Sequence, residues 1–411
     1  MSSAGPTPPG ERIVALDALR GFAVLGILVI NIWFFSMPLV GGVFPPYYGD
    51  FTGMNYLAWL GSHVFFEMKF ITLFTIMFGA GVILFSTAKE RRGEPALRLY
   101  WRRNLLLLSI GLGHAYLLWY GDILVAYALC GLLVVYVRHW SSRRLFVIGI
   151  AIVAVPSLIL LLSGMAVVGV TPAEERAGIE TEIVAVLGGT EDGIAAELAA
   201  YRGEYVDQLA HRIPMAVQLQ TSEFITGTGW RVTGLMLVGM AGMKRGVLTN
   251  EQSTDWYRTL GVVGVVSGLP LILVGVWFAH VVDWDPVLVL LIGAQFNYWG
   301  SIPLALSYLA GIMVWSRARP SGVVTTSLAA VGRTAFSNYL LQTILATTIF
   351  YGHGLGWFGF MQRIELLAIV VLIWAIQIPL SVLWLRRYRF GPVEWLWRTG
   401  TYGERQPLRS G

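Results

Sequence analysis

A few polar side chains interrupt the long apolar runs of this sequence, and these residues are the ones that could do chemistry. His114 lies inside one apolar run, Asp122 follows it, and Asn31 and Lys69 lie inside two others. A charged group at membrane depth costs about 3 kcal/mol on insertion scales, so such groups usually face a bundle interior or a wet cavity. A histidine beside a carboxylate can act as a general base or carry an acyl group, and an amide or ammonium can hold an oxyanion. We therefore predict that these four side chains meet in one solvated pocket.

Two of these four positions also have a purely structural explanation. An aspartate at a helix start, such as Asp122, often caps the first turn, and a histidine in a membrane helix is often only a hydrogen-bonded packing residue. His63 and Glu67 lie one turn apart on a shared helix face, and the sequence leaves their role open. Later amides suit either the lining of the pocket or hydrogen bonds between helices. These amides are Asn297, Asn338 and Gln342.

The composition requires that membrane helices position these residues. Of the 411 residues, 56 % are hydrophobic and 13 % are charged, which is far from the average for soluble proteins. The net charge of +5 is spread over short loops, so we expect no nucleic-acid partner. The single cysteine, Cys130, lies in an apolar run and rules out an intrachain disulfide or a CxxC site, and we expect no metal. The sequence predicts an all-α, multi-pass membrane protein with the lipid bilayer as a partner.

Apolar windows and loop charges predict the topology. Because a helix needs about 20 apolar residues to cross a bilayer, the windows predict about ten transmembrane helices. The windows are residues 19–37, 56–85, 105–120, 123–137, 145–170, 225–243, 260–281, 287–315, 328–350 and 366–385. Lysine and arginine concentrate in alternate loops, on the side that both termini share if the number of spans is even. The positive-inside rule places this side in the cytoplasm.

The chain divides into five predicted regions. These are a disordered cytoplasmic tail (1–15), membrane helices one to five with the polar site (16–170), an acidic extracytoplasmic segment (171–212), membrane helices six to ten (213–385) and a basic interfacial tail (386–411). Apolar spacings of three and four predict two short amphipathic helices in the acidic segment. Arginines followed by tryptophans predict an amphipathic helix on the cytoplasmic leaflet in the basic tail.

Sequence blocks spread over nearly the whole chain resemble the YeiB-like family of bacterial inner-membrane proteins. The blocks include Asp17-Ala18-Leu19-Arg20-Gly21, Lys69-Phe70, Gly113-His114, Ser337-Asn338-Tyr339 and Gly391-Pro392-Val393-Glu394. This resemblance implies an inner (plasma) membrane location. The first block is also similar to the opening helix of the transmembrane acyltransferases typified by the lysosomal heparan glucosaminide acetyltransferase. In those enzymes an asparagine at the offset of Asn31 from Asp17 helps to form the active site, but their catalytic histidine corresponds here to Gly42.

The second resemblance implies an acyl transfer reaction at the polar site. The donor would be a cytoplasmic thioester, with acyl-CoA as the substrate, and the acceptor would be an extracytoplasmic hydroxyl or amine of the cell envelope or of a small molecule. Catalytic roles would fall to His114, Asp122, Asn31 and Lys69, and binding of the donor phosphates to Asp17 and Arg20. His114 would replace the missing histidine as base or acyl carrier, and Asp122 would orient it.

Two other classes of protein remain open at this level. A small-molecule transporter or exporter could use the same intramembrane polar cluster to bind its substrate or relay protons. A non-enzymatic membrane scaffold could keep the buried polar groups only to specify packing. The sequence specifies neither the acyl group nor the acceptor, and it leaves open whether the chain forms a homo-oligomer.

Overall fold

The structure is a computed structural model that describes residues 13–409, the side chain of Ala173 excepted. Of these residues 81 % are helical, and none of them lies in a β-strand. The α-helices in this part are, in chain order, α1 (Val14–Ser36), α2 (Leu39–Val43), α3 (Gly53–Phe65), α4 (Lys69–Arg91), α5 (Ala96–Gly113), α6 (Leu124–Val134), α7 (Ser142–Val170), α8 (Ala173–Val186), α9 (Glu191–Arg202), α10 (Tyr205–Gln220), α11 (Gly229–Lys244), α12 (Thr254–Val281), α13 (Pro286–Leu288), α14 (Ala294–Ala318), α15 (Val323–Arg333), α16 (Ala335–Phe350), α17 (Arg363–Arg387) and α18 (Pro392–Tyr402).

Several helices have the length and surface of membrane helices. Among the residues described, six segments are long and apolar enough to cross a membrane: Val14–Ser36, Gly53–Arg91, Ser142–Val170, Thr254–Val281, Pro286–Ala318 and Arg363–Arg387. Only 28 % of the apolar window of α7, α12 or α17 is buried, and Leu162, Val266 and Leu383 are among their exposed side chains. Apolar surface of this extent suits contact with lipid. The predicted all-helical class is confirmed, and the helices are compatible with a membrane.

Helix α1 lies at the centre of the bundle, with 72 % of its apolar window buried. It packs against α4, α14, α15, α16 and α17. Where α1 crosses α15, a Cβ atom on Gly21 would lie 1.9 Å from the carbonyl oxygen of Leu328. A Cβ atom on Gly332 would lie 1.8 Å from the carbonyl oxygen of Asp17. The two glycines therefore allow α1 and α15 to approach until their backbones touch.

Several predicted spans are interrupted, and two of the interruptions lie at candidate residues. The window 56–85 forms both α3 and α4, because the chain turns before Lys69 and Met68 has a φ of +64°. Helix α5 ends in a π-helical turn that begins at His114, and α15 meets α16 at Thr334. Lys69 and His114 are both buried. Irregular backbone at membrane depth is tolerated where it is enclosed by protein, as it is here.

Residues 173–220 form the helices α8, α9 and α10, which we call the cap. The spacing of apolar residues in the acidic segment predicted two helices, and the structure has three. Both carboxylate oxygens of Glu197 accept a hydrogen bond from the backbone N–H of Leu39, at 3.2 Å each. Arg202 Nε donates to the carbonyl oxygen of Phe358 at 2.7 Å. These contacts hold the cap against the end of the bundle where α1 finishes and α17 starts.

The opposite end of the bundle carries α18. Trp397 Nε1 donates to the carbonyl oxygen of Arg103 at 2.8 Å, which joins α18 to α5. The Glu394 carboxylate accepts from the backbone N–H groups of Phe336 and Ser337 at 2.7 and 3.1 Å, so it satisfies the first turn of α16. The predicted tail 1–15 lies largely outside the described residues, as do positions 410 and 411, and α1 already begins at residue 14.

Candidate functional site

A buried chain of three polar side chains lies where α5, α6 and α16 meet. Asp122 Oδ1 lies 2.7 Å from His114 Nδ1, and His114 Nε2 lies 2.9 Å from Thr343 Oγ1. The side chains of His114 and Asp122 are 1 % and 0 % exposed. If Nδ1–H donates to Asp122, the Nε2 lone pair is left to accept from the Thr343 hydroxyl. Carboxylate, imidazole and hydroxyl in this order can activate the hydroxyl as a nucleophile.

The local backbone explains how these groups meet. After the π-helical turn, residues 119–123 are not helical, so the chain reverses and Asp122 returns to His114. The other oxygen of Asp122 accepts from the backbone N–H of Val125 at 2.8 Å, so the same carboxylate also caps α6. Tyr339 lies one turn before Thr343 on α16, and its ring centroid is 5.1 Å from that of His114. Asp122 therefore combines the capping role and the contact with histidine.

A cavity of about 300 Å³ extends from the α18 end of the bundle towards this group. Its walls are largely apolar and include Phe74 and Tyr127. The described lining residues also include Ile123 and Tyr339, but not His114. Tyr339 therefore lies between the cavity and the histidine.

The mouth of the cavity is strongly basic. Seven basic and two acidic side chains are among its described lining residues, namely Arg20, Lys89, Arg92, Arg103, Arg333, Arg389 and Arg398 with Asp17 and Glu394. The guanidinium of Arg103 lies 3.9 Å from the ring centroid of Trp397, and the ammonium of Lys89 lies 4.6 Å from that of Tyr402. An apolar cavity with a cationic mouth suits an amphiphile that has an anionic head.

Asp17 and Arg20, the predicted donor-binding residues, both line this mouth. They form an ion pair with each other, with 3.0 Å between Asp17 Oδ1 and Arg20 Nη1. The structure adds basic residues from distant parts of the chain, such as Arg103 and Arg398. The sequence analysis treated Arg103 as a loop charge that sets the topology and Arg398 as part of an amphipathic helix on the membrane surface. The large number of basic residues was the available signal.

Lys69 belongs to a second polar cluster, and no described contact joins it to the pair of His114 and Asp122. Its Nζ donates to the carbonyl oxygen of His63 at 2.7 Å and to Asn297 Oδ1 at 2.6 Å. His63 Nδ1 lies 2.5 Å from a carboxylate oxygen of Glu67, in agreement with their spacing of one turn. The structure thus brings together two of the four predicted catalytic residues and places the third elsewhere.

Arg231 extends this second cluster by one helical turn. Its Nη2 donates to Thr72 Oγ1 at 3.1 Å and to Ser301 Oγ at 2.8 Å. Thr72 follows Lys69 by three residues on α4, and Ser301 follows Asn297 by four on α14, so the contacts form adjacent rungs. Neither Lys69 nor Arg231 forms an ion pair with a carboxylate within the described part of the chain.

The remaining predicted residues are amides. Asn31 is half-buried, and none of the hydrogen bonds between described residues involves its side chain. Asn338 Nδ2 donates to Ser381 Oγ at 2.9 Å, and Gln342 Nε2 donates to the carbonyl oxygen of Val24 at 3.0 Å. The last two amides therefore join α16 to α17 and α1.

Thr343 is the member of the polar chain that sequence reasoning missed. A helical threonine can bond to the carbonyl four residues earlier, and Thr343 Oγ1 also lies 3.5 Å from the carbonyl oxygen of Tyr339. Its burial therefore carries no evident cost that would mark it as functional, although the family-like block that begins at Ser337 continues to Thr343. Within residues 13–409, no group of three or more His, Cys, Asp or Glu side chains could hold a metal ion.

The fold and the site define an all-helical, membrane-compatible protein with a buried carboxylate, imidazole and hydroxyl behind a basic cavity. The chain belongs to the YeiB-like family, as its sequence blocks predicted. It is 33 % identical to the uncharacterized protein YeiB of Escherichia coli (strain K12), over 94 % of this chain and 96 % of the relative. It is 30 % identical to the uncharacterized protein YxaH of Bacillus subtilis (strain 168), over 99 % of this chain and 98 % of the relative. Residues 242–404 match the family model described as a protein of unknown function (DUF418), and no solved structure matches the chain.

Proposed function

We propose that the protein is a membrane-embedded acyltransferase that moves an acyl group from a cytoplasmic thioester to an acceptor on the other side of the membrane. The observation that carries the proposal is the hydrogen-bonded chain from Asp122 through His114 to Thr343, behind a cavity with a basic mouth. The resemblance suggested by the block Asp17–Gly21 to the opening helix of the transmembrane acyltransferases favours the same reaction class.

The proposed topology has about ten helices crossing the bacterial inner membrane and both termini in the cytoplasm. Basic residues from several separate parts of the chain line one cavity mouth, at the end of the bundle that carries α18. The acidic segment belongs to the cap at the opposite end. The positive-inside rule therefore favours a cavity that opens to the cytoplasm and a cap that faces outwards.

The proposed donor is an acyl-CoA in this cavity. Arg20, Arg103 and Arg398 would contact its phosphates, since guanidinium groups bind phosphate oxygens well. The apolar walls would hold the pantetheine arm and direct the thioester towards Tyr339. This arrangement leaves the nucleotide in the cytoplasm while the acyl group enters the bundle.

The proposed reaction has two steps. His114 takes the proton of the Thr343 hydroxyl, and Thr343 Oγ1 attacks the thioester carbonyl; the new C–O bond replaces the C–S bond, and the departing thiolate takes the proton from the imidazolium. The acceptor hydroxyl or amine then attacks the acyl-threonine, with His114 again taking its proton and returning it to Thr343. Asp122 stabilises the imidazolium in both steps.

Tyr339 is better placed than Lys69 to stabilise the oxyanion in these steps. The Tyr339 hydroxyl is buried, and it forms no hydrogen bond of standard geometry with a described residue. It therefore has a proton to donate to a carbonyl oxygen that develops charge nearby. The Lys69 ammonium is already held by His63 and Asn297.

The test is release of free CoA thiol from acetyl-CoA by the purified full-length protein, followed with a thiol-reactive dye. Cys130 is the single cysteine and is buried, so the protein itself adds little background. We expect His114→Ala and Thr343→Val to lower the rate by at least about 100-fold, because base and nucleophile act as a unit. His139→Ala is the matched control, since this side chain is 65 % exposed, and it keeps the rate.

Thermal unfolding of each variant is the control that checks whether the variant is folded. Thr343→Ser retains the hydroxyl, so this variant should keep measurable activity. A folded His114→Ala variant as active as the wild type would contradict the proposal. Loss of activity in His114→Ala but not in Thr343→Val would mean that His114 activates the acceptor directly, without an acyl-threonine.

A transporter is the second candidate, because Lys69 and Arg231 are two buried cations without a carboxylate partner among the described residues. Such a cluster suits an anion or a proton pathway. The transporter hypothesis is tested by proton flux into proteoliposomes. The flux is driven by a membrane potential and followed with a trapped pH dye. Flux that falls in Lys69→Met but not in Lys244→Met, which changes an exposed lysine, would favour transport.

A further inference from the structure

Arg212 of α10 is a completely buried arginine on the outer side of the candidate site, with 0 % of the residue exposed. Its Nη1 donates to the carbonyl oxygen of Leu117 at 2.5 Å, and the Tyr205 hydroxyl donates to the same oxygen at 2.7 Å. Leu117 lies in the π-helical turn that begins with His114. Through Arg212, the cap therefore contacts the helical turn that carries His114.

One edge of this guanidinium is unused. Nε and Nη2 of Arg212 are buried and form no hydrogen bond with any described residue. No carboxylate in the described part of the chain forms an ion pair with Arg212. The Nε–H and Nη2–H bonds of an arginine point the same way, which is the geometry that binds two oxygens of a carboxylate or phosphate. A buried guanidinium without an anion is costly, so the free edge calls for an oxyanion.

Other buried polar groups lie near this guanidinium. The Tyr201 and Tyr351 hydroxyls and His211 Nε2 are buried, and none forms a hydrogen bond of standard geometry within residues 13–409. The Tyr351 ring centroid lies 5.9 Å from Arg212 Cζ and 4.6 Å from the Tyr201 ring centroid, which lies 5.3 Å from that of His211. Burial lowers the pKa of His211, so its neutral ring can donate or accept a hydrogen bond near neutral pH. Hydroxyl and imidazole groups can complete the shell around an oxyanion.

We propose that Arg212, Tyr201, His211 and Tyr351 bind a carboxylate or phosphate group carried by the acceptor of the acyl group. This inference rests on the proposed acyltransferase function, since it assigns the outer side of the His114 turn to the acceptor. The edge is enclosed in this structure, so the acceptor enters when α10 moves away from Tyr351. The acceptor class is then an anionic molecule that presents a hydroxyl or amine near Thr343.

The anion site can be tested on the full-length protein without acyl transfer. We would measure thermal unfolding in sodium phosphate, sodium acetate and sodium chloride at matched pH and ionic strength. We expect phosphate or acetate at millimolar concentration, but not chloride, to raise the unfolding temperature. The larger of the two effects identifies the head group. No rise with either salt, or an equal rise with chloride, would overturn the inference.

Substitutions locate the effect. Arg212→Lys keeps the charge but loses the paired donors, and we expect it to weaken the apparent affinity for the anion by at least about tenfold. If this variant does not fold, Tyr201→Phe and Tyr351→Phe keep the rings, remove only the hydroxyls and should also weaken anion binding. Arg176→Lys, at a partly exposed position of α8, is the matched control in the same cap and should bind as the wild type does. Wild-type affinity in all folded Arg212, Tyr201 and Tyr351 variants would overturn the inference.

The acetyl-CoA assay separates this inference from the proposed function. Cleavage of acetyl-CoA without any anion effect removes the Arg212 site and leaves the acyltransferase proposal intact. An anion effect that depends on Arg212, without thioester cleavage under any condition, supports the binding site and removes its role in acyl transfer.

Discussion

Replacement of Glu197 by glutamine should remove much of the pH dependence of stability. Glu197 is 2 % exposed, and its described hydrogen bonds come only from the backbone N–H of Leu39. Burial raises the pKa of Glu197 from 4.5 to about 7, against the opposing effect of the Leu39 hydrogen bond. The folded state therefore prefers the protonated carboxyl group more than the unfolded state does. The stabilisation is fully present below pH 4.5 and is lost as the pH rises through about 7.

The size of the effect follows from the two pKa values. The difference between 4.5 and about 7 corresponds to about 3 kcal/mol of unfolding free energy, because one pKa unit is worth about 1.4 kcal/mol. Denaturant titration of the purified protein between about pH 5 and pH 8 should show most of this decrease in the wild type. Glu197→Gln keeps the shape and an oxygen acceptor but cannot ionise, so its stability should lack this decrease.

The matched control is Glu191→Gln, which changes an exposed carboxylate at the start of the same helix and should keep the wild-type pH dependence. An equal loss of unfolding free energy in Glu197→Gln and the wild type, between the two ends of the pH range, would contradict this prediction. That result would mean that Glu197 is ionised at little cost in the folded cap.

Two further predictions concern packing and helix capping. Gly332→Ala should lower the free energy of unfolding by about 1–3 kcal/mol, because the added Cβ would lie 1.8 Å from a backbone oxygen of α1. Gly81→Ala is its control, with no atom within 4 Å of the added Cβ, and an equal loss of thermal stability in both variants would contradict the close approach of α1 and α15. Glu394→Ala should cost about 1–2 kcal/mol in the same assay, since it leaves the first-turn N–H groups of α16 without an acceptor. Its control is Glu404→Ala at an exposed position, and equal stability of the two variants would show that α16 does not need this cap.

The helical class and the family could be predicted from the sequence because both depend on local properties. Apolar runs reveal helices that need lipid, and the spaced blocks around residues such as Asp17, Lys69 and Ser337 identify the family. The breaks were not predictable in the same way. No proline lies at residues 66–68 or 333–334, and the few polar side chains there leave the runs 56–85 and 328–350 apolar enough to read as single spans, although each forms two helices.

The candidate site was predicted only in part, for a reason that its residues make clear. An ionisable side chain in an apolar run is costly wherever the chain folds, so His114, Asp122 and Lys69 could be identified as groups that need partners. Asp122 follows His114 closely enough for a reversal of the chain to join them. Thr343 and Arg212 carried no such signal, because a threonine can bond to its own helix and an arginine in an acidic segment looks balanced.

The sequence by itself determined that this is a helical membrane-type chain of the YeiB-like family with charged groups that must be satisfied inside it. Only the tertiary structure decided which groups satisfy them. The contact of His114 with Thr343 spans 229 residues of sequence, and that of Lys69 with Asn297 spans 228. Hydropathy and burial cost are properties of a residue and its neighbours in the chain, whereas a hydrogen bond between distant helices depends on how all the helices between them pack.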